Sequence, residues 1–412
     1  MTIDDTNAEN HTTIIAVAPS PVDENVIWVG TDDGNIQLTR DGGQTWTNVG
    51  GRLSGVTPGS WIPHIEVSQK NAGEAFIIVN DYRRNDWRPM AYHTTDFGAT
   101  FRRIVNENQV TGHALAIVQD PDAPNLLWLG TDYGLYFTID GGSNWNKWTN
   151  DYPSVSTRDL KIHPREKDLI VGTFGRAAWI LDDTRPIREI AQTNGKVLDQ
   201  NFALFDAPDA YMAERRSVDG VRFTGDGMFQ GANRSSNAMF TVWVKPPSMK
   251  KKKAESDEKP TVESGKKKKK KKQEVRDKKQ ETTKEAGKKQ DSKGMRGGKK
   301  KKVKVQIMDS AGDTIRTFSS EVDSGMVRIY WNLRHDGIDL PSRRAPRPGR
   351  NTPSGYSVLP GTYKVIMSLG KDKDSTNITV HPDPRIDFTM EKFNKKISII
   401  KKSINENNKH YD

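Results

Sequence analysis

The chain has 412 residues, enough for two or three domains, and no cysteine, so neither a disulfide framework nor a thiolate metal site is open to it. Its net charge of +11 belongs to one segment: residues 250–302 hold 22 Lys and 2 Arg against 9 acidic residues, a local +15 that leaves the remainder at −4 and argues against a fold with a basic nucleic-acid face. No run of 18 apolar residues occurs, which excludes a spanning helix.

The first residues, MTIDDTNAENHT, are polar and acidic and lack the basic and apolar regions of a signal peptide. Residues 1–13 are expected to be a disordered start. From Ile14 to about residue 190 the chain repeats itself. The units read IIAVAPSPVDENVIWVGTDDGNIQLTRDGGQTWTNV, HIEVSQKNAGEAFIIVNDYRRNDWRPMAYHTTDFGATFRRI, LAIVQDPDAPNLLWLGTDYGLYFTIDGGSNWNKW and the shorter LKIHPREKDLIVGTFGRAAWILDD. Aligned on Val17, Val67, Val118 and Ile162, they are spaced by 50, 51 and 44 residues, the length of a propeller blade. Each unit predicts a four-stranded meander: Ile14 to Ala18, Val26 to Gly30 running into a TDDG hairpin, Asn35 to Thr39, and a fourth strand leaving from Trp46. One such sheet cannot bury both faces, but radial stacking can. The expected class is all-β, a partial propeller of about four blades.

The third and fourth strands of the first three units are joined by one pattern. It comprises Thr39, Asp41, Gly43, Thr45 and Trp46, then Thr94, Asp96, Gly98, Thr100 and Phe101, then Thr138, Asp140, Gly142 and Trp145, with Asn144 where Thr is expected. A carboxylate in a tight turn accepts the N–H groups just ahead of it. The aromatic offers a surface to wedge under the turn and against the neighbouring sheet. These residues are read as structural, since one catalytic carboxylate repeated in three blades makes no geometric sense. The pattern resembles the Asp-box, or BNR, repeat of sialidases, sortilin-type Vps10 domains and two-propeller xyloglucanases. YRRNDWRPMAYHTTDFGATF and RDLKIHPREKDLIVGTFGRAAWILDD resemble more closely the last blades of large bacterial sortilin-like proteins often labelled glycosyl hydrolases, and the likeness runs from about Ile14 to Arg385. It implies a periplasmic or secreted protein with an Ig-like domain after the propeller. Closed rings of that family have more than four blades, so the resemblance also implies the C-terminal portion of a longer protein.

Beyond Asp183 the periodicity changes. Residues 191–236 read as a connector, and 237–385 as the Ig-like β-sandwich, with AMFTVWVKP, VKVQIMDSAGDTIRTF, GMVRIYWNLRHDG and LPGTYKVIMSLG as its strands. Trp331 is the expected core anchor, with Tyr363, Val365, Met367 and Leu369 on one side. The Lys-rich insert has no aromatic residue and only Val262 and Val275 as β-branched apolar residues, too little burial to offset ordering entropy, so disorder is expected. An electrostatic tether is its functional reading, but a solvated loop is preferred because no stacking aromatics accompany the lysines. In 386–412, Phe393, Ile397, Ile400 and Ile404 lie at helical spacing.

Chemistry is expected on the face opposite the Asp boxes, where the turns between second and third strands meet the links between blades. That face collects Asp32 and Asp33, the loop from Asn80 to Pro89, Asp132 and Tyr133, and Phe174 with Arg176, joined by Trp61, His64, His113 and Arg158 from the links; Asp32, Arg84, Asp86, Trp87, Arg88, Asp132, Tyr133 and Arg176 are its candidate ligand contacts. A glycosidase needs two carboxylates across a cleft. Asp32, Asp86 and Asp132 are conceivable, but nothing in the sequence pairs them, and the Arg-Ile-Pro signature and arginine cluster of sialidases find no match. No His/Asp/Glu cluster has metal spacing and no glycine-rich phosphate loop is present, so neither metal nor cofactor is expected. The favoured reading is a non-catalytic binding or assembly scaffold for peptide, protein or glycan, without specific nucleic acid. Its propeller would be completed by blades of a longer chain or by another copy. The alternative is a glycoside hydrolase with an incomplete site.

Overall fold

A computed structural model describes residues 12–213, 234–247, 300–338, 350–386 and 389–409. The expected disorder of the Lys-rich insert therefore concerns residues outside the described set, apart from its final lysines, Lys300 to Lys302, the last two of which open a strand.

Residues 14–181 build four antiparallel meanders. The first blade is β1 (Ile14–Pro19), β2 (Ile27–Thr31), β3 (Ile36–Thr39) and β4 (Thr47–Asn48). The second is β5 (Trp61–Val67), β6 (Ala75–Asp81), β7 (Asp86–Thr94) and β8 (Arg102–Arg103). The third is β9 (Ala114–Gln119), β10 (Leu127–Thr131), β11 (Gly134–Thr138) and β12 (Asn146–Trp148). The fourth has three strands, β13 (Thr157–Ile162), β14 (Leu169–Thr173) and β15 (Ala178–Leu181). Strands β6, β9 and β10 are buried along their whole length, which explains their unbroken apolar runs: both sheet faces are covered by neighbouring blades.

Backbone hydrogen bonds set the true repeat frame. Ser20 donates to Val26, Ser68 to Glu74, Asp120 to Leu126 and His163 to Asp168, each closing the first hairpin of its blade. This corrects the alignment on Val17, Val67, Val118 and Ile162, which slips by one or two residues because hairpin loops of different length separate similar apolar runs. In the corrected frame Val17, Ile65, Ile117 and Leu160 are equivalent. Each blade then has a leading face towards its predecessor and a trailing face towards its successor. Ile65, Ile77 and Tyr92 lead from the second blade into a core with Ala16, Ala18 and Trp28, which trail from the first. Ile117, Leu129 and Tyr136 meet Ile78 and Ala91 in the next joint. Leu160 and Val171 meet Ala116, Val118 and Trp128 in the third.

A helix, α1 (Arg185–Gln192), follows where the sequence was read as blade and connector. Arg188 at its centre forms a bidentate pair with Asp120, with Nε–Oδ1 and Nη2–Oδ2 both at 2.8 Å. Next come β16 (Phe202–Leu204), β17 (Ala210–Tyr211), β18 (Ala238–Val244), β19 (Lys301–Met308), β20 (Thr314–Val322), β21 (Gly325–Trp331), β22 (Arg334–Asp336), β23 (Ser354–Ser357), β24 (Gly361–Leu369), β25 (Asp372–His381) and the helix α2 (Met390–Lys409). Two sheets, ordered β16-β18-β21 and β17-β25-β24-β19-β20, share one core. The span 191–236 is therefore more than a connector: it supplies β16 and β17, the latter pairing in parallel with β25. Trp331 is buried, its ring edge-on to Tyr363 at 5.6 Å, and Val365 and Met367 lie in the same core.

Candidate functional site

The turns between the second and third strands lie beside the links that enter the first strands. Asp32 N–H reaches Thr13 O at 3.1 Å, Asp132 N–H reaches His113 O at 3.2 Å, and Phe174 N–H reaches Ser156 O at 2.9 Å. In the second blade Arg84 makes the same connection with its side chain, giving Nη1 to Pro58 O at 2.9 Å.

Most of the charged candidates on this face are spent on the fold. Asp32 Oδ1 accepts the Thr13 amide at 2.8 Å. Arg84 is held by Asp81 at 2.6 Å and by Ser60 Oγ at 3.2 Å as well as by Pro58. Asp86 and Arg88 close a bidentate fork with Nε–Oδ1 at 2.8 Å and Nη2–Oδ2 at 2.6 Å. The Arg88 hydrogen bond holds the Asp86 carboxyl below its ordinary range against the upward push of burial. Such a group is a poor general acid. Arg176 is exposed, and its carbonyl takes the Trp179 indole N–H at 2.9 Å.

What the face presents outward is aromatic. Trp87 is about half exposed, pinned through Nε1 to Asn85 Oδ1 at 3.0 Å, and it packs on Tyr82 and on His113. Tyr82 and His113 stack at 4.8 Å. Burial, the largest influence, pushes the His113 imidazole below its ordinary pKa, although the Asp132 charge pulls upward. Tyr133 is half exposed and lies over Gly112, where an added Cβ would come within 2.6 Å of the ring. Phe174 is 72% exposed, with the Arg158 guanidinium 5.4 Å from its ring centre. The Arg83 guanidinium lies 3.5 Å from the Trp61 ring centre. Rigid aromatic faces flanked by guanidinium groups can stack on a sugar ring or an apolar peptide stretch. Phe174 was placed on this face by its turn, and Tyr82 by the loop from Asn80 to Pro89, but neither was singled out as a ligand contact. The signal that finds them is an aromatic in a hairpin turn, outside the apolar periodicity.

At the opposite end the Asp turns form a nearly identical network three times. Asp41 Oδ1 accepts from Thr39 Oγ1 at 2.8 Å and from Thr45 N–H at 2.9 Å, and its Oδ2 accepts from Thr45 Oγ1 at 2.6 Å. Asp96 repeats this with Thr94 and Thr100 at 2.8, 2.9 and 2.6 Å. In the third turn Asn144 stands in for Thr, donating from its backbone at 2.8 Å and from Nδ2 at 2.7 Å to Asp140. The Thr45 and Thr100 hydroxyls and amides hold Asp41 and Asp96 down at about 2. Asp140 also sits low, because the Asn144 and Thr138 hydrogen bonds outweigh burial. Gly98 and Gly142 take φ of +70° and +88°, and a Cβ on Gly142 would meet Ile104 at 2.8 Å.

Trp46 lies under its own turn, but the contact with a neighbouring sheet expected of it is not made. Trp145 is buried and donates to Ile104 O of the preceding blade at 2.7 Å, and Phe101 packs into the core of the first joint. Trp46 is 45% exposed and donates to Gly43 O of its own turn at 3.1 Å, because no described sheet precedes the first blade.

His64, read as part of the ligand face, lies on the trailing face of the second blade with Glu66. His64 Nδ1 accepts the Ile117 amide at 3.3 Å, and the Gln119 amide donates to Glu66. The two side chains thus cap backbone groups of β9 from the blade before it. Burial, aided by Lys161, pushes His64 down to about 4, and burial pushes Glu66 up to about 7. Alternation within β5 was the available signal for this pair, but the slipped frame hid which face it served.

No family model and no curated protein matches the sequence. Among solved structures the chain is similar to YCF48 bound to D1 peptide, with 20% identity, 42% of this chain and 52% of that chain covered, and a TM-score of 0.32. It is also similar to the Niastella koreensis GH74 enzyme, with 14% identity, coverage of 57% and 36%, and a TM-score of 0.35. A third is an auxiliary nutrient binding protein from Bacteroides thetaiotaomicron, with 11% identity, coverage of 43% and 40%, and a TM-score of 0.34. The chain spans about half the length of the first and less of the others. Among the described residues no helix is long and apolar enough to cross a membrane.

Proposed function

We propose that the chain is a non-catalytic binding module whose turn face holds a glycan or peptide. One observation carries the reading: Trp87, Tyr133 and Phe174 present exposed rings from the equivalent end of three successive blades, while Asp32, Arg84, Asp86 and Arg88 are engaged by the fold. Such rings offer affinity without bond-breaking chemistry, and Arg158 beside Phe174 suits hydroxylated or anionic groups. The two-sheet domain, read as Ig-like, then serves to space or dock the blades. The glycoside-hydrolase reading requires a protonated carboxyl and a partner carboxylate across a cleft. Asp86 is held ionised, and Glu66, one of the carboxyls that burial pushes upward with Asp182, Asp183 and Glu189, caps a strand in a blade joint.

The test is a glycan and peptide array probed with the full chain, beside a polysaccharide-hydrolysis screen. Binding that falls about tenfold or more in Trp87→Ala and Tyr133→Ala, with unchanged melting, supports the module; a stacked ring contributes roughly 1–2 kcal/mol. Cleavage of a polysaccharide that disappears in Asp32→Asn, Asp86→Asn or Asp132→Asn overturns it.

A further inference from the structure

We infer that the leading face of the first blade and the trailing face of the fourth pair with each other between two copies of this chain. The joint would be head-to-tail, of the same kind as those inside the chain.

The three internal joints define what each face needs. Ile65, Ile117 and Leu160 are buried at their leading positions, each against the blade before it. Val17 is their equivalent, and it is 63% exposed. Trp46, equivalent to the buried Trp145 and the packed Phe101, is also open. On the trailing side, Trp28 and Leu38 of the first blade lie in the first joint, and Trp128 and Phe137 of the third lie in the third joint. Their equivalents in the fourth blade, the cross-strand pair Ile170 and Ile180, are exposed, Ile180 by 61%. Each chain thus carries one unpaired face of each type. Apolar surface of this kind, clustered and opposite in type, marks an interaction site.

Polar groups favour a second copy as the occupant. In the second joint the trailing residues His64 and Glu66 receive the amides of Ile117 and Gln119. The equivalents on the free trailing face are Asp159 and Lys161, and those on the free leading face are Val17 and Pro19. Asp159 holds the Leu160 amide at 2.8 Å through Oδ1, and Oδ2 can accept the Val17 amide. Pro19 has no amide to offer, and opposite it stands Lys161, which has no acceptor to give. The free faces match in hydrogen bonding as well as in apolar character. A heterologous contact either closes into a ring or runs on as a filament. Two copies supply about eight blades, within the usual propeller range, so closure at two is the expected state.

The experiment measures the molar mass of the full chain by size-exclusion chromatography with light scattering. A species of twice 46.3 kDa is expected for the wild type. Val17→Asp and Ile170→Asp should each run as monomers, and because both positions are exposed in the single chain, each variant should keep the strand content of the wild type by far-UV circular dichroism. Mixing the two variants should restore a dimer, because the unmutated Val17 of one meets the unmutated Ile170 of the other at a single intact joint. A second arm uses the absence of native cysteine: Val17→Cys mixed with Asp159→Cys should form a disulfide-linked pair under oxidation, and neither alone should. A monomeric wild type overturns the inference. So does a dimer that survives both Asp variants, a mixture of folded Asp variants that fails to re-associate, or a mixture of folded Cys variants that fails to cross-link.

Discussion

The indole N–H of Trp145 donates to the Ile104 carbonyl across the joint between the second and third blades, at 2.7 Å. The contact ties a turn of one sheet to the fourth-strand edge of the sheet before it, and the same indole fills the core there. Trp46 has the same place in its own turn but bonds to Gly43 and remains open. One residue type at one repeat position therefore has two energetic roles, set by whether a sheet lies next to it. Trp145→Ala should cost about 3–5 kcal/mol, the range for a large buried aromatic, whereas Trp46→Ala should cost less than about 1 kcal/mol in the free chain. Urea titrations of both variants measure the contrast, and equal losses would refute it.

The Asp turns follow the same division. Asp96 sits in a turn whose Gly98 carbonyl is held by Arg52 at 2.7 Å, with Val49 and Trp28 within reach of its backbone. Asp41 sits in a turn without such cover. Asp96→Ala should lower the melting temperature more than Asp41→Ala. Both carboxyls lie at about 2 against an ordinary 3.8, so their stabilisation is present above pH 3.8 and lost as pH falls towards 2. Replacing either residue with Ala should flatten the acid limb of the melting curve. Unchanged acid sensitivity in the Asp41, Asp96 double variant would show that other groups control it.

Arg188 and Asp120 form a buried pair that fastens α1 to the third blade. Asp120 also accepts the amides of Asp122 and Ala123 at 2.9 Å. Arg188→Met leaves that carboxylate buried without its cation and should cost about 3–5 kcal/mol. The loss should be regained in large part when Asp120→Asn is added, since the double variant removes the stranded charge. A double-variant cycle with no coupling would contradict the pairing.

Glu66 and His64 make opposing contributions to pH-dependent stability. Glu66, at about 7 against 4.5, contributes stability that is complete below pH 4.5 and is lost as pH rises through 7. His64, at about 4 against 6.5, contributes stability that is complete above pH 6.5 and is lost as pH falls through 4. Across pH 4.5–6.5 the two partly cancel. Glu66→Gln keeps an acceptor for the Gln119 amide and removes only the first contribution. Relative to wild type, the variant should gain on the order of 2 kcal/mol between pH 4.5 and 8. Melting series at both pH values test this, and a constant difference between the two proteins would refute it.

Much of this architecture can be read directly from residues. The recurrence of Thr-x-Asp-x-Gly, with Thr39, Thr94 and Thr138 at strand ends, locates three turns because those side chains bond within their own five or six residues. Trp331 and Tyr363 could be named as core because alternation within a strand is local. The repeat frame was harder. Val17, Val67, Val118 and Ile162 look alike, yet only the hairpin-closing bonds of Ser20, Ser68, Asp120 and His163 align the blades. The charged candidates of the ligand face were legible as residues but not as roles, since Arg84 and Asp86 find their partners through the turn that folds them together.

The sequence by itself determined the local units: four repeats, three Asp turns, and a later set of strands with a Trp and Tyr core. These depend on side-chain alternation and on hydrogen bonds between near neighbours. Only the tertiary structure decided which face of each blade is covered. That choice separates Trp46 from Trp145, places His64 and Glu66 in a joint and not at a ligand, and leaves Trp87, Tyr133 and Phe174 facing outward. Burial, pKa and availability to a ligand are properties of the neighbouring sheet, and a repeat that encodes the same residue at each blade carries no information about which blades have a neighbour.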